Sequence, residues 1–464
     1  MTGTADVIAP PLWTAAQIAA ATGGAPSADF AATGVAFDSR EVGARDLFVA
    51  LTGEQTDGHR FLDGAFAQGA AGALVSAATP HPHVRVADTT RALDDLARAA
   101  RARTAATVIG VTGSVGKTSA KEALAAALDR GAPGQVHRSV KSYNNHTGVP
   151  LSLARMPADS RYAVLEMGMN HAGEIAALTR LVRPHIALVT AVAAVHIEHF
   201  PDEEAIADAK AEIFAGLEPG GTAIVPQDSR HRDRLTAAAR AHGARIVTFG
   251  TGDGADVRAL EVMRTPTGGS FVTARIGTRE LSFTLAQPGA HWVSNALGVL
   301  AAVDAAGADL GLAGLALAEL GGLPGRGARF VTPAGALVLD ESYNANPTSM
   351  RATLAVLADE PGRHVAVLGA MGELGKETPR YHAELAQPVL DARVESILLV
   401  GEAMAPLRQA LEHKVNVVHV PDAAAAVASL DAVVRPGDTV LVKGSNAVGL
   451  ARVVAALKTV GQGG

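Results

Sequence analysis

The sequence predicts an α/β protein of three domains, on three observations. From about residue 105 onward, short apolar runs alternate with Ala-rich helical stretches. Hydrophobic residues make up 48% of the chain but aromatic ones only 4%, so Ala, Val, Leu and Gly supply the apolar mass. That mixture suits parallel sheets covered by small-residue helices better than β-sandwiches. A Gly/Pro-rich break, Leu323-Pro324-Gly325-Arg326-Gly327, then separates two alternating halves. The expected division is a small mixed α/β domain over 1–104, a central parallel-sheet domain over 105–326, and a Rossmann-like α/β domain over 327–464. It agrees with about 150 residues per domain.

In the first domain, Thr14-Ala15-Ala16-Gln17 reads as a capped helix start, and Gly23-Gly24 as its end. Val35–Arg40, Asp46–Leu51 and Ala71–Val75 read as strands, and residues 90–103 as an amphipathic helix leading onward. In the second domain, Ala105–Val111 reads as a strand and Ser119–Leu128 as a helix. Tyr162–Glu166 and Ile186–Thr190 are apolar runs of the kind buried on both faces of a parallel sheet. Thr273–Leu285, rich in Thr and alternating polar residues, predicts an antiparallel addition. Beyond the break, Ala336–Leu339, His364–Leu368, Ile397–Val400 and Thr439–Val442 are the expected strands.

Composition narrows the chemistry. With no cysteine, disulfides, thiolate catalysis and Cys-bound metals are excluded. A net charge of −6 predicts no general affinity for nucleic acid. Met1–Asp6 lacks a basic region followed by an apolar core, so no leader peptide is expected. No uncharged apolar run approaches the roughly 20 residues that span a bilayer, so no membrane insertion is expected.

The strongest local signal is Gly110-Val111-Thr112-Gly113-Ser114-Val115-Gly116-Lys117-Thr118-Ser119, which follows an apolar strand and opens a helix. Glycines let the backbone wrap a phosphate, and the free N–H groups of a helix start point at the anion. In this reading Lys117 neutralises the terminal phosphates and Thr118 ligates Mg²⁺. The strict phosphate-loop pattern needs Gly at position 111, where this chain has Val. The plain alternative is a Gly-rich turn with a solvated lysine.

Glu166 ends an apolar strand, where an open α/β sheet forms its ligand crevice, and a carboxylate there suits Mg²⁺. Taken alone it reads equally as a loop acid. His196-Ile197-Glu198-His199 suggests zinc only weakly, with no further clustered ligand; His196 reads as a metal or phosphate contact or as a loop histidine. Lys210 sits on an expected helix, where the default is a surface lysine paired with an acid.

Together these segments resemble the Mur ligase family over nearly the whole chain. Thr112–Thr118 is similar to that family's own phosphate-loop variant, and Asn144-Asn145-His146-Thr147-Gly148-Val149-Pro150 to its asparagine–glycine–proline segment. The resemblance implies magnesium ligation by Thr118, Glu166 and His196, and carbamylation of Lys210 to bridge a second metal. It implies nucleotide contacts from Gly113, Ser114, Val115, Gly116, Lys117, Thr118, Ser119, Asn295, Arg326, Asp340, Tyr343 and Asn344. It also implies contacts of Ser39, Arg40, Asn145 and Thr147 with a UDP-sugar substrate. Asp340-Glu341-Ser342-Tyr343-Asn344-Ala345-Asn346-Pro347 resembles the branch that joins D-alanyl-D-alanine to UDP-N-acetylmuramoyl-tripeptide. Two positions depart from the family pattern: Asn446 follows Lys443-Gly444-Ser445 where relatives carry Arg, and the acidic pair is Asp-Glu instead of Asp-Asp. Gly369-x-x-Gly372-x-x-Gly375 is read as part of a dipeptide-facing loop and not as a dinucleotide fingerprint.

The resemblance thus implies a cytoplasmic, monomeric enzyme using ATP and Mg²⁺, with Lys117, Lys210, His196 and Glu166 carrying the catalysis through an acyl phosphate. The alternatives are the sister ligase that adds diaminopimelate or lysine to the muramoyl dipeptide, and a nucleotide-binding regulator without ligase chemistry.

Overall fold

A computed structural model describes residues 11–53, 56–266 and 268–459. The Met1–Asp6 segment, read above as lacking a leader, lies outside the described residues. Three sheets carry the architecture. A five-stranded sheet is built within residues 25–85, a nine-stranded sheet within 107–285, and a six-stranded sheet within 328–443.

The first helix, Ala15–Thr22, begins as expected: Thr14 Oγ1 accepts from the Gln17 N–H and Gln17 Oε1 from the Thr14 N–H. Gly23, at φ +66°, ends it in the left-handed conformation. Thr14→Ala should therefore lower stability by about 1 kcal/mol, read by urea unfolding of the variant beside the parent. The strand expected over Val35–Arg40 is shorter, Gly34–Ala36, because Asp38 caps a 3₁₀ turn at Ser39–Glu41 by accepting the Arg40 N–H. The helix Thr89–Arg103 leads into the central sheet.

In the central sheet, the strand Thr107–Thr112 pairs in parallel with Tyr162–Glu166 on one side and Ile186–Val189 on the other. Glu166 aligns with Val111, and Val189 with Thr112. The carboxyl ends of three adjacent strands therefore open onto one crevice. All five residues of Tyr162–Glu166 are buried, as a strand covered on both faces requires. Apolar clusters lie on each face, one containing Leu124, Leu188 and Leu300, the other Leu165, Val189 and Phe214. Thr222–Pro226 and Arg245–Gly250 extend the parallel part, and Val257–Arg264, Ser270–Ile276 and Arg279–Leu285 form the antiparallel addition expected near Thr273–Leu285.

The third sheet is parallel except for its edge strand Ala328–Val331. Leu337–Glu341 and Asp438–Lys443 run side by side, and their last residues, Glu341 and Lys443, are register partners. Among the described residues, no helix is long and apolar enough to cross a membrane.

Candidate active site

The helix Lys117–Asp129 starts directly behind the glycine loop. Two glycines are needed for steric reasons. A Cβ on Gly113 (φ +150°) would lie 2.0 Å from Thr190 Oγ1, and one on Gly116 (φ +83°) 2.7 Å from Asn295 Oδ1. Lys117 folds back over its loop, its Nζ donating to Gly113 O at 2.7 Å and Ser114 O at 3.4 Å. Burial pushes the Lys117 ammonium below its ordinary pKa, against the attraction of Glu166. Thr118 Oγ1 donates to Glu166 Oε2 at 2.9 Å, and Asn144 Nδ2 donates to Glu166 Oε1 at 2.7 Å. Two hard oxygen donors, one in the first turn of the helix and one at the end of a strand, thus sit together beside the glycine loop, a donor set that fits Mg²⁺.

A cavity of about 390 Å³ lies over this point. The loop residues Ser114–Ser119, Glu166, His196 and Asn295 line it from the central domain. Arg326, Glu341, Tyr343, Asn344 and Lys443 line it from the linker and the third domain. Arg326 stacks its guanidinium 3.9 Å from the Tyr343 ring centroid, and the Tyr343 hydroxyl donates to Ser142 Oγ at 2.9 Å. Backbone strain marks His196, at φ +54°, and Glu373, at φ +60°, whose carboxylate sits against His196 Nδ1. Among the described residues, no group of three or more His, Asp or Glu side chains forms a ready metal cluster.

Several sequence-based expectations need correcting. Lys210 is not a surface lysine: its side chain is 0% exposed and its Nζ lacks any hydrogen-bond partner. Burial, then the charge of Lys117, pushes its pKa well down. It is not among the residues that line the cavity. Asp340 is likewise outside that lining. Its carboxylate accepts from the Gly325 N–H at 2.9 Å, the Ser342 N–H at 3.1 Å and the Ser342 hydroxyl at 2.6 Å, and so shapes the linker. The neighbouring Glu341 lines the cavity instead; burial raises its pKa, opposed by Lys443 at 3.7 Å. Strand alternation puts successive side chains on opposite faces, which the Asp-Glu pair alone does not resolve.

The other expected substrate residues are apart from the cavity. Arg40 makes a bidentate pair with Asp38, at 2.9 and 2.6 Å, and is exposed. Asn145 Oδ1 accepts from the Thr147 N–H, the Thr147 hydroxyl and the Gly148 N–H, shaping the start of the helix Gly148–Ala154. In the Gly369–Gly375 loop, Met371 N–H donates to buried His382 Nε2 at 2.9 Å, and Gly375 packs against Glu198. The Ala370 and Met371 N–H groups are thus spent on the loop's own domain. The sequence reading did not select Lys121, Ser142, Glu341, Glu373 or Lys443. For Lys121 a signal existed: it lies four residues after Lys117, on the same helical face.

Comparison with known proteins agrees with this architecture segment by segment. Residues 31–107 match the Mur ligase family catalytic domain, 111–303 the Mur ligase middle domain, and 325–446 the Mur ligase glutamate ligase domain. The chain is 36% identical over 441 residues to the UDP-N-acetylmuramoyl-tripeptide–D-alanyl-D-alanine ligase of Escherichia coli K12, covering 93% of this chain and 95% of that one. Against the enzyme of the same name from Bacillus subtilis 168 it is 34% identical, covering 91% and 92%. The structure is similar to that of MurF from Acinetobacter baumannii, with a TM-score of 0.85 at 32% identity, covering 97% of this chain and 99% of that one. It is also similar to the MurF ligase of Thermotoga maritima in complex with ADP, with a TM-score of 0.77 at 26% identity over 92% and 97% of the two chains. With matching domains along its length and relatives aligned almost end to end, the chain belongs to the Mur ligase family.

Proposed function

We propose that this protein is the ATP-dependent ligase that adds D-alanyl-D-alanine to UDP-N-acetylmuramoyl-tripeptide through an acyl phosphate, in peptidoglycan precursor synthesis. The observation that carries the reading is the cavity where the Lys117–Thr118 loop and Glu166 meet Arg326, Glu341 and Lys443. One wall is built to hold a triphosphate and the other belongs to a domain that can deliver an amine. The relatives named above, aligned over more than nine-tenths of their length, support the same substrates.

The terminal carboxylate of the tripeptide attacks the γ-phosphorus of ATP, the bond to the β-phosphate oxygen breaks, and ADP leaves. The free amine of D-alanyl-D-alanine then attacks the acyl carbon, losing a proton, and inorganic phosphate departs as the amide forms. The protein's share is charge neutralisation and positioning. Lys117 and the loop N–H groups hold the phosphates, with Ser114, Val115, Gly116 and Ser119 shaping the cradle. Thr118 and Glu166 would hold Mg²⁺, which would supply positive charge to offset that of the phosphates. Asn295, Arg326, Tyr343 and Asn344 border the nucleotide, and Asp340 acts through the Gly325 turn. Ser39, Arg40, Asn145 and Thr147 serve the UDP-sugar end of the substrate.

Carbamylated Lys210 and His196 are proposed to serve a second metal. Burial without a hydrogen-bond partner biases this amine toward the neutral form, the form that adds CO₂ with loss of a proton. The division at 1–104, 105–326 and 327–464 assigns the sugar nucleotide, ATP and the dipeptide to one domain each, and the separate sheets support it. A cytoplasmic monomer completes the reading; sedimentation velocity tests the monomer.

Mass spectrometry of the product made from UDP-N-acetylmuramoyl-tripeptide, ATP and D-alanyl-D-alanine is the direct test. The pentapeptide product is expected, with none formed from the dipeptide precursor and diaminopimelate or lysine. ATP binding without any amide product would leave only a nucleotide-binding regulator.

A further inference from the structure

One buried cation beside the site has no part in the chemistry above. Lys121 lies one turn beyond Lys117 on the same helix, and its side chain is 0% exposed. An ammonium removed from water is costly unless its three protons find acceptors. Here they do: Nζ lies 2.8 Å from Ser139 O, 2.7 Å from Lys141 O and 2.9 Å from Glu122 Oε1. The Glu166 carboxylate is 4.0 Å away.

The segment that Lys121 grips is where the rest of the site is tied together. Ser139 Oγ accepts the Glu166 N–H at 3.2 Å, and Asn144 orients the Glu166 carboxylate. Between them, Ser142 receives the Tyr343 hydroxyl, and Tyr143 donates its hydroxyl to Glu41 of the first domain at 2.8 Å. Lys141 itself holds φ +53°, a strained value for a long side chain, so its carbonyl direction needs an external anchor.

We propose that Lys121 is a positioning residue of the metal–phosphate site, anchoring Ser139 and Lys141 so that Asn144 can set the Glu166 carboxylate against Thr118. The inference rests on the reading that Glu166 and Thr118 serve Mg²⁺. Its reach is specific: loss of the anchor weakens the coupling between metal and nucleotide more than it weakens the nucleotide's own grip on the loop.

Calorimetry of ADP binding, with and without Mg²⁺, tests this on the full chain without turnover. The wild type should bind ADP more tightly with Mg²⁺. In Lys121→Met that gain should shrink by about tenfold, while the metal-free affinity stays within about threefold. Asn144→Ala, which removes the last link, should lose the gain in the same way. A clamp that served folding alone would lower the melting temperature and leave the gain intact in the folded protein. Retention of the full gain in Lys121→Met overturns the proposal. So does its retention in Asn144→Ala, even if Lys121→Met does not fold. A wild type with no gain would instead remove the Glu166–Thr118 metal reading on which the proposal stands.

Discussion

Lys117→Ala is expected to stop phosphoryl transfer from ATP to the tripeptide carboxylate, with a loss of about 10³-fold or more in turnover. The reason lies in the position of its ammonium. It is folded onto the carbonyls of Gly113 and Ser114, at the mouth of the loop, and burial makes its charge costly there. A terminal phosphate is a better partner than two carbonyls, because it returns full negative charge to a poorly solvated cation. As the bond to the departing ADP stretches, negative charge moves onto oxygens beside that cation, so the interaction strengthens in the transition state. The check is two-sided. Trapping of the acyl phosphate by borohydride should vanish in the variant, while the fold, followed by circular dichroism, should persist. Amide formation at the parent rate would remove the loop from the mechanism.

Lys210→Ala is expected to cost about 10²–10³-fold in turnover, with partial recovery on adding acetate or formate. The side chain is an unusual one to bury. It is wholly enclosed, finds no acceptor for its protons, and lies near a second lysine. A lysine kept only for packing would do better as Met, since a buried amine without partners carries a desolvation cost. Carbamylation gives the nitrogen an anionic oxygen pair, a suitable metal donor set. A small carboxylate diffusing into the space left by Lys210→Ala supplies oxygens of the same kind. Mass spectrometry of intact protein under bicarbonate should show the added 44 Da expected of CO₂ (roughly, from composition) in the wild type and not in the variant. Full activity in Lys210→Ala, without added acid, would sink the assignment.

Much of the fold was legible because its causes are local. The Thr14–Gln17 box and Gly23 stop are short-range hydrogen-bond and steric choices, and they fell where the residues put them. Tyr162–Glu166 and Ile186–Val189 were visible as uninterrupted apolar runs because the sheet buries both their faces. Thr222–Pro226 and Arg245–Gly250 continue the same sheet without an equally plain signal. The exposed Arg245 and the mixed burial of its strand explain why no apolar run announced it.

The site divides in the same way. The sequence by itself determined the glycine loop and helix start that are proposed to hold phosphate, since closely spaced glycines and a following helix start lie within one continuous segment. It also placed Glu166 at a strand end. Only the tertiary structure decided which acid of Asp340-Glu341 faces the cavity, that Lys210 is enclosed without a partner, and that Lys121 reaches the backbone of residues 139 and 141. Those facts depend on what the fold packs against a side chain, and burial is a property of the neighbours, not of the residue.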